Sequence, residues 1–182
     1  LLLHLVAGLH PPLNVVEAVI AANPSALSRQ STNGGLTPLM IACGRNASRR
    51  VVRLLISKDR KALDLRDSLG YAAIHWACRE NASHEVMKQV LLNDPGQAWR
   101  MVQKPAVLSA PHIAQHHVGG MGMSPLDILY QMNSSSSGQS SSEWDRNQWK
   151  KLSYILWVRH YGSMNARSEH SYSVLHAALA LK

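Results

Sequence analysis

The sequence predicts an all-α solenoid of stacked helix-turn-helix repeats. Three observations predict it. The stretch Gly70-Tyr71-Ala72-Ala73-Ile74-His75-Trp76-Ala77-Cys78 has counterparts at 37–43, 124–129 and 173–178, and a clipped one at 1–7. A second phrase recurs on its own: Asn23-Pro24-Ser25-Ala26-Leu27, Asp59-Arg60-Lys61-Ala62-Leu63 and Asp94-Pro95-Gly96-Gln97-Ala98-Trp99, with alanines 36 residues apart twice. Between them lie short segments with apolar residues at helical spacing. One such unit cannot bury its own apolar face, so neighbouring copies must cover one another.

The first phrase, best preserved as Thr37-Pro38-Leu39-Met40-Ile41-Ala42 and Ser173-Val174-Leu175-His176-Ala177-Ala178, matches the Thr-Pro-Leu-His-x-Ala signature, and the chain resembles an ankyrin-repeat array. The resemblance implies an ankyrin-repeat solenoid of about four to five repeats with clipped or degenerate terminal copies. It spans one domain over 1–182, with repeats near 1–30, 31–66, 67–99, 119–167 and 168–182 and insertions near 100–118 and 133–142. Met40 follows His4 by 36 residues and His75 follows Met40 by 35, against a usual ankyrin period of about 33.

In chain order, Leu1 to Leu9 reads as a first inner helix ended by Pro11-Pro12. Asn14 is placed to cap a helix from Val15 to Ala22. Asn33-Gly34-Gly35 reads as a tight turn needing positive φ. Thr37-Pro38 then opens a short helix, and Ser48 caps Arg49 to Ser57, with Val51, Val52, Leu54, Leu55 and Ile56 inward and Arg49, Arg50 and Arg53 in water. Ser83 is placed to cap Glu85 to Leu92. Residues 100 to 123 contain a lengthened finger loop. The fourth signature is eroded, Asp127 standing for His and Leu129 for Ala. The serine-rich run from Ser134 to Ser142 reads as a flexible linker. A helix from Glu143 to His160, ended by Gly162, has Trp144, Leu152, Ile155, Leu156 and Val158 as its buried side. Without an initiating Met, and stopping within its last signature, the chain reads as a piece of a longer protein.

Composition bounds the chemistry. Hydrophobic residues make up 46% of the chain and Phe is absent, so aliphatic residues and Ala fill the core. Nineteen Lys and Arg against 11 Asp and Glu give +8, which favours acidic partners. Cys43 and Cys78 sit at equivalent positions of adjacent copies, about 8–10 Å apart for packed helices, beyond disulfide reach. Two reduced, buried thiols suit an intracellular protein, cytoplasmic or nuclear. Leu1 to Leu9 is too short to span a bilayer.

No nucleophile elbow, phosphate-cradling Gly-Lys-Ser/Thr loop or His-Glu-x-x-His motif occurs, so the chain is expected to be non-catalytic, without cofactor or metal. The signature histidines His4, His75 and His176 lie in different layers, and the resemblance gives them a structural role: with the signature Thr they tie the finger turn to its helix and to the next repeat. His112 and His116 have i, i+4 spacing, with His117 beside them, but no third ligand type accompanies them, and they read as a solvated loop whose charge follows pH.

The resemblance implies a protein-binding scaffold, its partner held on a concave face of finger tips and inner helices. Carried over where the signature aligns, the partner-binding positions are Asn33, Leu36 and Arg45 in the second repeat, Arg66, Ser68, Leu69, Tyr71, Arg79 and Glu80 in the third, and Tyr172 with Arg167 and His170 in the fifth. Tyr71 has two readings, an exposed interface anchor or a cover for the neighbouring repeat. Trp76 occupies a packing position. The alternative function is binding of nucleic acid or anionic membrane through the basic outer surface of Arg49, Arg50 and Arg53. The absence of aromatics between Arg45 and Lys61 weakens its nucleic-acid form.

Overall fold

The structure, a computed structural model, describes residues 2–80, 82–103, 122–134 and 146–164. These form eight α-helices: α1 (Leu2–Gly8), α2 (Leu13–Ala22), α3 (Pro38–Gly44), α4 (Arg49–Lys58), α5 (Ala73–Arg79), α6 (His84–Asn93), α7 (Pro125–Ser134) and α8 (Arg146–Met164). They alternate between two layers. α1, α3, α5 and α7 pack side by side as the inner layer, and α2, α4, α6 and α8 as the outer. The described residues therefore form an all-α solenoid of two-helix repeats, and no strand occurs among them.

The inner helices α1, α3 and α5 are seven residues long. Isolated helices below about 12–15 residues are marginal in water, so stacking holds them. Leu3, Leu39, Ile74 and Leu129, from four successive inner helices, are fully buried. Each such aliphatic side chain contributes about 1.5–3 kcal/mol on burial. In the outer layer α4 buries Val51, Val52, Leu55 and Ile56, as its pattern predicts, while Leu54 is half-buried. Cys43 and Cys78 are free and buried, and burial pushes both thiols up to about 12.

The second recurring phrase has a structural meaning. Each copy is a 3₁₀ turn closing an outer helix, at Pro24–Leu27, Arg60–Leu63 and Pro95–Trp99. Asp59 and Asp94 cap two of them, each Oδ1 accepting a backbone N–H at 3.0 Å, from Lys61 and Gly96.

The fingers stack as well. Ser68 N–H donates to the Gly34 carbonyl at 3.0 Å, and one repeat later Gln103 N–H donates to the Gly70 carbonyl at 3.2 Å. Each finger also pairs within itself: Ser31 N–H to Leu36 O, Asp67 N–H to Tyr71 O and Val102 N–H to Met123 O. The stretch 104–121, with His112, His116 and His117, lies outside the described residues, as does the serine run 135–142. The described ends of the longer stretch are the paired stem Val102–Met123.

Several local expectations are corrected. α2 starts at Leu13, so Asn14 sits inside it and makes no cap. Ser48 does cap α4, accepting from Val51 N–H at 3.4 Å, but Ser83 makes no side-chain cap on α6. α8 runs on to Met164, because one glycine near a helix end costs only about 1 kcal/mol and Gly162 does not stop it. Leu156 is exposed, and the fully buried Lys151 joins Leu152, Ile155 and Val158 on the packed side. Lys151 Nζ donates to the Ala77 carbonyl at 3.2 Å. Polar groups on α8 complete the docking. Asn147 accepts from His84 N–H at 2.7 Å and donates to the Ala82 carbonyl, and Arg159 donates to the Ala98 carbonyl at 2.9 Å. Trp144 lies outside the described residues.

Candidate functional site

The signature positions show how the inner layer is pinned. His75 Nδ1 accepts the Ala72 N–H at 2.9 Å, so its Nε2 carries the proton and donates to the Arg100 carbonyl at 2.7 Å. One imidazole thus caps its own helix and reaches the next finger. His4 reaches the Leu36 carbonyl in the same way, at 3.0 Å. The expected Thr–His hydroxyl bond is not made at His75, because Ala72 occupies the Thr position and its backbone N–H is the partner. In the second repeat Met40 replaces His, and Thr37 Oγ1 accepts the Met40 N–H at 3.2 Å. In the fourth, Asp127 accepts from both the Ser124 N–H and hydroxyl at 2.7 Å, and these two bonds hold its carboxyl below the usual range. His176 lies outside the described residues.

Burial pushes His75 down to about 4, with Arg66 and Arg100 nearby adding to the effect, so the ring is neutral in its structural role. Asp67 is the centre of the third finger. Its Oδ1 accepts the Leu69 and Tyr71 N–H groups and its Oδ2 the Trp76 indole N–H, at 2.8–3.0 Å. Burial raises its carboxyl above the usual range, against those three hydrogen bonds.

Of the positions expected to meet a partner, three come together. Leu36, Arg45 and Glu80 line an open groove of about 650 Å³ on the inner-layer side, between α3 and α5. Met40, Ile41, Gly44, Asn46 and Trp76 complete it. Gly44 keeps it open: a Cβ there would already be in van der Waals contact with the Trp76 ring and the Glu80 side chain, both at 3.5 Å. Trp76 is half-buried and faces this groove, not wholly core as its signature position suggested.

The other positions do different work. Tyr71 is only 7% exposed. Its ring lies edge-on to His75 and tilted against Trp76, and Arg79 sits over both Tyr71 and Trp76 at 5.6 and 5.4 Å. That matches a covering role, not an exposed anchor. Arg66 donates to the Gly70 and Met101 carbonyls, and Ser68 donates its hydroxyl to the Gly34 carbonyl. Leu69 packs against the core, and Asn33 is exposed in its turn, where its carbonyl accepts from the Ser31 hydroxyl. Arg167, His170 and Tyr172 lie outside the described residues. Sequence reasoning missed Asp67, Gly44, Ile41 and Asn46. Asn46 had a readable signal: it stands 36 residues after His10, and both take positive φ between the helices of a repeat.

A profile of the family described as Ankyrin repeats, in three copies, matches residues 3–98. The chain belongs to the ankyrin-repeat family. No curated protein matches it. The profile covers the first three of the described repeats, and α7 and α8 continue the same two layers beyond it. Ankyrin repeats are generally protein-interaction modules and typically non-catalytic.

Proposed function

We propose that this ankyrin array is a non-catalytic scaffold that binds a polypeptide segment in the groove between α3 and α5. One observation carries the reading. An apolar floor of Leu36, Ile41 and the Trp76 ring is flanked by one cation, Arg45, and one anion, Glu80. Protein-binding surfaces combine an apolar, aromatic centre with a polar rim. A charge-balanced rim gives a polyanion no net attraction, so the groove suits a peptide better than a nucleic acid.

The test is capture of binding proteins by the native chain and by Gly44→Leu, which sets a side chain into the groove against Trp76 and Glu80. A protein held by the native chain and released by Gly44→Leu, with unchanged helical circular dichroism, supports the reading. Equal capture by both chains contradicts it.

A further inference from the structure

The outer face carries an independent signal. α4, α6 and α8 lie side by side, and together they hold a single acidic residue, Glu85. Arg49 pairs with it at 3.6 Å. Arg50, Arg53 and Lys150 are exposed on the same layer, and Lys88 stands between them with its ammonium 5.8 Å from the Tyr154 ring. Apolar groups share this face. Leu92, one helical turn beyond Lys88, is 57% exposed, and Trp157, stacked on Tyr154 at 5.6 Å, is 39% exposed.

We propose that this outer face docks on an anionic lipid bilayer. Arg50, Arg53, Lys88 and Lys150 match the lipid charge, while Leu92 and Trp157 enter the headgroup boundary. Basic side chains near an anionic leaflet each add to the attraction, and tryptophan and leucine are favoured at the interface between headgroups and acyl chains. Leu92 decides between lipid and nucleic acid: an aliphatic side chain has no π-face on which a base can stack, but it gains from leaving water for the acyl boundary. Contact is peripheral, since no described helix is long and apolar enough to cross a membrane. The groove lies on the other layer and stays open to a partner while the outer face is docked.

The test is co-sedimentation of the whole chain with vesicles of phosphatidylcholine alone or of phosphatidylcholine and phosphatidylserine in equal parts, at low and raised salt. The expected result is binding to the phosphatidylserine vesicles only, weakened by salt. Arg50→Glu/Arg53→Glu should lower it at least tenfold, and Leu92→Ser several-fold. Ser28→Glu/Arg29→Glu/Thr32→Glu, with the same change in net charge on exposed residues away from this face and from the groove, should bind as the native chain does. Circular dichroism checks that each variant is folded. Failure to sediment with phosphatidylserine vesicles at low salt overturns the proposal. So does an equal loss in the Ser28/Arg29/Thr32 control, which would reduce the effect to net charge. Displacement of the chain from vesicles by a DNA or RNA duplex, with Leu92→Ser unaffected, overturns it in favour of nucleic acid.

Discussion

Arg66 donates from its guanidinium to the Met101 carbonyl at 2.8 Å, 35 residues ahead. The Arg66 carbonyl in turn receives the side-chain amide of Gln30, 36 residues behind. Equivalent positions of three successive repeats are therefore chained by side chain and backbone. Arg66→Ala should destabilise the array by about 2 kcal/mol, the usual worth of hydrogen bonds from a charged donor. Arg66→Lys should recover part of the loss, since both bonds leave the single nitrogen Nη1 and an ammonium can also donate twice. Urea unfolding of the three chains checks both.

Gly34 and Gly70 share a φ of +84°, but not their surroundings. A Cβ on Gly34 meets nothing, whereas one on Gly70 would lie 1.8 Å from the Gln103 carbonyl oxygen. Gly34→Ala should cost only the left-handed backbone, about 1–2 kcal/mol. Gly70→Ala should cost at least about 3 kcal/mol, because the next finger must also move. Thermal unfolding of the pair separates the two costs.

His75 gives the array an acid-sensitive joint. Its ring gains a proton near 6.5 when unfolded but only near about 4 when folded, because burial disfavours the charged form. Between those values the unfolded chain binds more protons, so stability should fall as pH drops through that window, by up to about 3 kcal/mol, and this group adds no further loss below it. Denaturant midpoints at about pH 7 and about pH 5, for the native chain and for His75→Gln, test the sign; the substituted chain should lose much of the slope.

The fourth repeat should open more readily than the second and third. Asp127 reproduces the capping half of the histidine's task, but its bonds end at Ser124, while the His75 ring crosses to Arg100. Faster amide exchange in α7 than in α3 and α5 is the expected result. Equal protection would sink the prediction.

How much could be read from the residues follows from what each feature depends on. The repeat phrases, the inward faces of α4 and the turn at Gly34-Gly35 are local, so period and propensity reveal them. Expectations failed where a partner from another repeat decides. Leu156 and Lys151 lie on the same helix, yet it is the lysine that is buried, because its head meets the Ala77 carbonyl near the end of α5. Tyr71 was legible as an important position, but its burial depends on Arg79, Trp76 and His75 closing around it. The groove was half legible. Leu36, Arg45 and Glu80 follow from the signature alignment, whereas Gly44 matters only because Trp76 of the next repeat lies across from it. A missing side chain leaves little trace in a sequence until its neighbour is known.

The most direct measurement places a photo-reactive amino acid at Arg45, on the groove rim, or at Arg53, on the outer face, and identifies what each one cross-links. The groove account predicts a partner polypeptide joined at Arg45, absent at Arg53 and abolished when Gly44→Leu is added. Cross-linking of the same polypeptide from Arg53, or persistence at Arg45 with the groove filled, would contradict it.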